Sequence, residues 1–316
     1  MKKPLVILTG PTAVGKTKAS ISLAKAINGE IISADSMQVY KYMDIGSAKI
    51  RTEEMQGVKH YLVDVLEPDE EFHVVRFQQM AKEAMEEIYA KGKVPIIVGG
   101  TGFYIQAILN DIDFTENEED NPYREELECI AREQGNEVLH QMLAEVDPAS
   151  AETIHANNVK RVIRALEFYK QTGQKISEHN EKERAKESPY NFCYFVLNDD
   201  RDRLYERIEL RIDQMLEEGL VEEVRALKEK GYTRDMVSMQ GLGYKEILDY
   251  LNGICSLEEA IYILKRDTRH FAKRQLTWFR REREVIWIQK NEFKHDEEAI
   301  LNQILAHIRE RMGISC

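Results

Sequence analysis

Residues 5–17 read Leu5-Val6-Ile7-Leu8-Thr9-Gly10-Pro11-Thr12-Ala13-Val14-Gly15-Lys16-Thr17. The opening apolar run suits a strand buried on both faces, and it stops just before a glycine. Gly10 to Thr17 then matches G-x-x-x-x-G-K-[ST]. Glycines in this pattern let the backbone wrap a phosphate while successive N–H groups point inward at a helix start. Lys16 adds a cation, and the Thr17 hydroxyl can ligate Mg²⁺. The plainer alternative is an ordinary glycine-rich strand-to-helix turn. Position favours the phosphate reading, because the motif follows a buried strand and opens a helix. It specifies a phosphate ligand and no reaction.

Beyond the loop, Lys16–Ile27 carries helical spacing at Ala19, Leu23, Ala26 and Ile27, closed near Asn28-Gly29. Strands are predicted at Ile31–Ala34, Tyr61–Leu66 and Val94–Val98, with an amphipathic helix at Phe77–Ala90. This alternation predicts an α/β fold with a mostly parallel sheet. Asp35-Ser36-Met37-Gln38-Val39-Tyr40 follows the second strand, and ligands of open α/β sheets bind at such carboxyl ends. If the first two strands flank the site, Asp35 lies near the phosphate as a general base or a Mg²⁺ ligand. Its alternative role is to cap the following turn. Val98-Gly99-Gly100-Thr101-Gly102-Phe103-Tyr104 ends another strand with a hydroxyl and flexible backbone, although glycine-rich strand ends are common. That strand does not end in a carboxylate, which weakens a motor or GTPase reading.

Composition shifts at Asp111. Helical segments are predicted at Glu125–Glu133, Glu137–Glu145 and Val159–Lys170, separated by Gly135, Asp147-Pro148 and Gly173. Strand patterns return at Phe192–Leu197 and Val285–Ile288. The expected organisation is a core over 1–111 and 186–316 interrupted by a helical insertion at 112–185; an uninterrupted single domain is the alternative. The length of 316 residues suits this, at about 150 residues per domain. No apolar run approaches the ~20 residues of a membrane span, and the N-terminus lacks the pattern of a secretory signal. Cys129, Cys193, Cys255 and Cys316 form no Cys-x-x-Cys pair, so neither a zinc finger nor a disulfide framework is indicated. A cytoplasmic protein with no membrane association is expected.

The net charge of −12 conceals a strong asymmetry. Asp111–Glu128 holds nine carboxylates against one arginine, whereas Lys265–Arg283 holds eight Lys or Arg against Asp267 and Glu282. Steering follows the local field, so net acidity confines a nucleic-acid partner to one face without excluding it. On a helix, Arg266, Arg269, Lys273 and Arg280 would form one stripe, with Leu264, Phe271, Trp278 and Phe279 broadly opposite. Such a helix suits tracking of phosphates, with Arg269 and Lys273 as the candidate contacts. A solvated basic face without a ligand is the alternative. Trp278 and Phe279 are expected in the core rather than as a base-stacking platform.

Gly10–Thr17, Asp35–Tyr40 with Asp44-Ile45-Gly46-Ser47-Ala48-Lys49, Gly99–Tyr104, His155–Arg164 and Gly243-Tyr244-Lys245 occur in that order. Together they resemble the bacterial tRNA dimethylallyltransferase family over nearly the whole chain. The resemblance implies a P-loop kinase-like core with an inserted all-helical domain, and magnesium as cofactor. It implies transfer of a dimethylallyl group from dimethylallyl diphosphate to the N6 amine of the adenosine 3′ to the anticodon, so that the tRNA anticodon stem-loop is the partner. Gly10–Thr17 would then hold the diphosphate and Asp35 would accept the amine proton. Ser36, Met37 and Gln38 would lie near the target nucleotide, with Thr101 at the reacting centre. Arg207 and Arg211 resemble arginines near the diphosphate, without a choice between them. Lys160 and Arg161 would reach tRNA from the insertion, along with neighbouring Val159, Val162 and Ile163, and more weakly Arg124. Val14 departs from the small residue usual before the second loop glycine. Alternatives are a small-molecule kinase with ATP in the cradle, prenyl transfer to free adenine nucleotide, and a non-catalytic RNA-binding protein. With no long heptad pattern, a monomer is expected.

Overall fold

Lys3–Thr9 (β1) puts Leu5, Val6, Ile7 and Leu8 out of reach of solvent, as their unbroken apolar run requires. The computed structural model describes residues 2–114 and 122–314. After β1 come α1 (Lys16–Ala26), β2 (Gly29–Ala34), β3 (His60–Tyr61), α2 (Val74–Ala90), β4 (Val94–Gly99) and α3 (Gly102–Leu109). The next elements are α4 (Pro122–Glu133), α5 (Asn136–Val146), α6 (Pro148–Thr153), α7 (Val159–Thr172) and α8 (Ile176–Ala185), with no strand among the described residues between β4 and Tyr190. The chain then forms β5 (Tyr190–Asn198), α9 (Arg201–Glu217), α10 (Leu220–Glu229), α11 (Tyr244–Leu251), α12 (Leu257–Phe279), β6 (Val285–Gln289) and α13 (Glu297–Met312).

The six strands are all parallel in the order β3-β2-β4-β1-β5-β6. In this order β4 lies between β1 and β2. The first two strands still bring their ends to one site because all three strands end in register. Thr9 pairs with Gly99, and Gly99 pairs with Ala34. Gly10, Gly100 and Asp35 therefore leave the sheet along one row. The expected strand at Tyr61–Leu66 shrinks to His60–Tyr61 plus an isolated bridge from Leu66 to Tyr40. Leu62 and Asp64 adopt φ of 61° and 60°, a left-handed conformation that extended pairing cannot accommodate.

The chain divides into one unit of Met1–Leu109 with Pro189–Cys316 and a second of Asn110–Ser188. The second unit has its own core of Leu127, Leu139, Leu143, Val162, Ile163, Ala165 and Leu166. The expected breaks act as caps: Gly173 ends α7 in a left-handed turn, and Asp147 starts α6 by accepting from Ser150 N at 3.1 Å. The same carboxylate accepts from Ser177 N at 3.0 Å and Ser177 Oγ at 2.6 Å, which pins the start of α8. Helices α6 and α8 have no counterpart among the sequence expectations. Six residues are too few for a periodic signal, and Ile176–Ala185 is almost wholly polar. Part of the acidic tract, residues 115–121, lies outside the described residues.

Arg124 on α4 makes a two-pronged contact with Glu167 on α7: Nε to Oε1 at 2.9 Å and Nη2 to Oε2 at 2.7 Å. Glu167 is only 3% exposed. Arg124→Ala would leave a buried carboxylate short of its donors. It is expected to destabilise this unit by about 1–3 kcal/mol, read as a lower denaturant midpoint, whereas Glu133→Ala on the same helix should change it little.

Candidate phosphate-binding and transfer site

The loop Gly10–Thr17 winds from β1 into α1, with Gly15 at φ 100° immediately before Lys16. That φ is open to glycine and strained for other residues. The bulk of Val14 does not disturb the loop, because its side chain turns into the core and is 1% exposed. Two long cations brace the loop from elsewhere in the chain. Arg207 on α9 donates from Nε to Ala13 O at 2.7 Å. Lys290, buried just past β6, donates to Val14 O at 3.3 Å and pairs with Glu297 at 3.2 Å.

Lys16 Nζ folds back onto the loop, donating to Gly10 O at 3.0 Å and Pro11 O at 2.9 Å. Burial pushes its pKa down to about 8; the Asp35 carboxylate opposes the fall and Arg211 reinforces it. Arg211 is likewise held below its ordinary value by burial, with Asp35 favouring its charge and Arg207 opposing it. Lys16, Arg207, Arg211 and Asp35 thus share one electrostatic neighbourhood, to which Glu54 adds a weaker favourable effect on Arg211.

Beside the loop lies a cleft of about 440 Å³, lined by parts of the phosphate loop together with Asp35, Gln38, Ser47, Ala48 and the α9 residues Arg207, Leu210, Arg211 and Gln214. Its charged lining is Lys16, Lys18, Arg207 and Arg211 against Asp35 alone. In a chain of net −12, this is a local reversal suited to a polyanion. Asp35 Oδ1 accepts from Met37 N at 2.8 Å and Gln38 N at 3.3 Å. The capping role and the open role therefore coexist, since both bonds fall on a single oxygen. Gln38 is oriented in turn, its Nε2 donating to Ala48 O at 3.1 Å and Ser47 O at 3.4 Å. Loop 44–48 is itself held by Glu223 on α10, which accepts from the N–H groups of Asp44, Ile45 and Gly46 at 2.9, 2.7 and 3.0 Å. The Tyr244 hydroxyl on α11 donates to Glu223 at 2.8 Å and accepts from Ser47 N at 3.1 Å.

Several expected residues fall elsewhere. Thr101 N donates to Ala34 O at 3.3 Å, one residue before Asp35, yet Thr101 is not among the cleft's lining residues. Ser36 and Met37 also lie off the lining, as do Gly10, Pro11 and Val14, which shape the loop from behind. In the helical unit Lys160 and Arg161 are exposed and Val159 half-buried, whereas Val162 and Ile163 are core residues whose side chains cannot meet a ligand. Arg124 is committed to Glu167. The basic stripe on α12 is interrupted: Arg269 pairs with Glu209 at 2.6 Å, and Arg266 with its neighbour Asp267 at 2.8 Å. Lys273 and Arg280 remain exposed, Phe279 is fully buried and Trp278 half-buried, while Phe271 is half-buried beneath Arg274 rather than in the core. Lys290, Gln275 and Glu223 have no counterpart among the sequence expectations. Ser47 and Ala48 carry a signal as part of the Asp44–Lys49 motif, and Tyr244 as part of Gly243-Tyr244-Lys245.

The fold and this cleft define a class: a phosphate-loop α/β protein that holds a polyanionic ligand beside a strand-end carboxylate. The profile of the IPP transferase family matches residues 38–282. The chain is 66% identical over 309 residues to the tRNA dimethylallyltransferase of Lachnoclostridium phytofermentans, covering 98% of both chains. Among solved structures it is similar to the full-length tRNA isopentenylpyrophosphate transferase of Bacillus halodurans, with 46% identity, 98% of each chain covered and a TM-score of 0.73. It is also similar to a eukaryotic dimethylallyltransferase acting on tRNA, with 29% identity, a TM-score of 0.81, and coverage of 96% of this chain and 80% of that one. The chain belongs to the IPP transferase family. No helix among the described residues is long and apolar enough to cross a membrane.

Proposed function

We infer that this protein is a tRNA dimethylallyltransferase. It transfers a dimethylallyl group from dimethylallyl diphosphate to the N6 amine of the adenosine next to the anticodon of tRNA. The observation that carries the residue-level reading is the cleft itself, where a phosphate loop, two arginines and one aspartate meet.

The chemistry follows from charge. The exocyclic nitrogen attacks the allylic carbon, the carbon–oxygen bond to the diphosphate breaks, and the leaving group takes the bonding electrons. Loop N–H groups, Lys16, Arg207 and Arg211 stabilise that anion where it forms. Arg211, half-buried and sharing its field with Asp35 and Lys16, is the arginine assigned to the reacting centre, and Arg207 braces the loop. Asp35 takes the proton released from N6. Gln38, its amide fixed by Ser47 and Ala48, faces the incoming base.

Magnesium fits as an ion brought in on the diphosphate. No group of three or more His, Cys, Asp or Glu side chains suited to a metal occurs among the described residues. Mg²⁺ is ordinarily held by one or two protein oxygens plus substrate phosphates, and the Thr17 hydroxyl and Asp35 line the same cleft. Thr17 would hold the ion, which supplies charge neutralisation to the leaving group.

The exposed residues Lys160, Arg161 and Lys273 are assigned to tRNA phosphates. Reversal of any one to Glu should weaken tRNA binding and reduce the slope of log affinity against log salt by about one for each phosphate no longer neutralised. An unchanged slope removes that residue from the interface. The activity itself is tested by incubating the protein with labelled dimethylallyl diphosphate and tRNA, AMP, or no acceptor, and ATP with candidate small-molecule acceptors alongside. Label appearing in tRNA alone is the expected outcome. Label in AMP, or phosphoryl transfer from ATP, contradicts it.

A further inference from the structure

Helix α12 buries Ala260, Leu264, Ala272 and Phe279 against the core, and among them one amide, Gln275. A buried amide is costly unless bonded, and this one is bonded at both ends to backbone outside its own helix. Its Oε1 accepts from Thr12 N in the phosphate loop at 2.9 Å. Its Nε2 donates to Gly100 O, in the turn that carries Thr101, at 3.0 Å. These partners lie 263 and 175 residues away in sequence. The fit is mutual, since a Cβ on Gly100 would collide with Gln275 Nε2. One turn further along the helix, Trp278 covers Gly102, where a Cβ would collide with the indole. Gly100 and Gly102 therefore serve close approach by α12.

We propose that Gln275 is a positioning residue for prenyl transfer: its amide sets the spacing between the phosphate loop and the Gly100–Thr101 turn. By occupying the Thr12 N–H it also leaves diphosphate recognition to the later N–H groups of the loop. It is buried and lines no part of the cleft, and both of its amide atoms are taken by the two backbones it joins, through which it acts. The proposal rests on the transferase reading given above.

The test is a double-mutant cycle between Gln275→Ala and Gly100→Ala, read by single-turnover transfer at saturating tRNA and dimethylallyl diphosphate and by titration with inorganic pyrophosphate. Gln275→Ala should slow transfer at least tenfold and weaken pyrophosphate binding, with tRNA affinity unchanged. Gly100→Ala should do the same alone, by displacing the amide, and should add little on top of Gln275→Ala. Gln275→Glu keeps the acceptor for Thr12 but opposes a carboxylate to the Gly100 carbonyl, so it should not rescue. Leu264→Ala supplies the stability control: it should lower the melting temperature of the same helix without changing transfer well below that temperature. Gln275→Ala within twofold of wild type, strictly additive losses, or an equal rate loss in Leu264→Ala would each overturn the proposal. A wild-type protein that transfers nothing to tRNA sinks the transferase reading instead, and the pyrophosphate cycle still decides whether Gln275 orders the loop.

Discussion

Asp35→Asn is expected to lower single-turnover prenyl transfer by about 10²–10⁴-fold, the range of general-base assistance, with dimethylallyl diphosphate affinity retained. Asparagine is the informative replacement. Asp35 Oδ1 caps the turn through Met37 N and Gln38 N, and an asparagine oxygen can keep both bonds while losing the capacity to take a proton. Asp35→Ala removes the cap as well and releases Gln38. If asparagine restores most of the rate lost in alanine, Asp35 is a turn residue and the base lies elsewhere. Equal and severe losses in both, with bound diphosphate donor, place the proton on Asp35.

Lys16→Ala is expected to weaken binding of dimethylallyl diphosphate by about 10- to 100-fold, as loss of a charge-assisted hydrogen bond of about 1.5–3 kcal/mol implies. Arg207 and Arg211 keep the residual affinity above that of an uncharged cleft. The pH dependence supplies a second reading of the same group. Burial holds Lys16 down to about pKa 8 in the unliganded protein, so its ammonium is lost as pH rises through that value. Wild-type affinity for the diphosphate should fall above pH 8, and the Lys16→Ala protein should not show that fall. The linked effect on stability has the opposite sense. A lysine with a folded pKa below its unfolded one opposes folding while charged, and the penalty is relieved as pH rises from about 8 towards 10.5. A titration in which both proteins respond identically to pH removes Lys16 from the cradle.

What the sequence exposes and what it conceals follow from where each interaction closes. The phosphate loop, its strand and its helix occupy one continuous stretch, and their chemistry is local. Asp35 and Gly99–Gly102 are legible for the same reason, as strand ends, whereas the sheet order, in which β4 lies between β1 and β2, has no local signal. Lys290, Gln275 and Glu223 had no local signal. Each is an ordinary residue on an ordinary element, and each reaches a loop more than 170 residues away. Motif resemblance also blurs direction: it places Val162 and Ile163 beside Lys160 and Arg161, whereas helical periodicity sends the first pair into the core and the second to the surface. Arg269 shows the limit of a helical wheel on a single helix, because its partner Glu209 comes from α9.

A crystal structure with an unreactive thio analogue of dimethylallyl diphosphate bound bears most directly on this mechanism. Both phosphorus atoms are expected against the Gly15–Thr17 backbone, with Lys16 swung from the Gly10 and Pro11 carbonyls onto the phosphates and the Asp35 carboxylate facing the allylic carbon. Phosphates seated away from the loop, or an Asp35 carboxylate turned from that carbon, would contradict it.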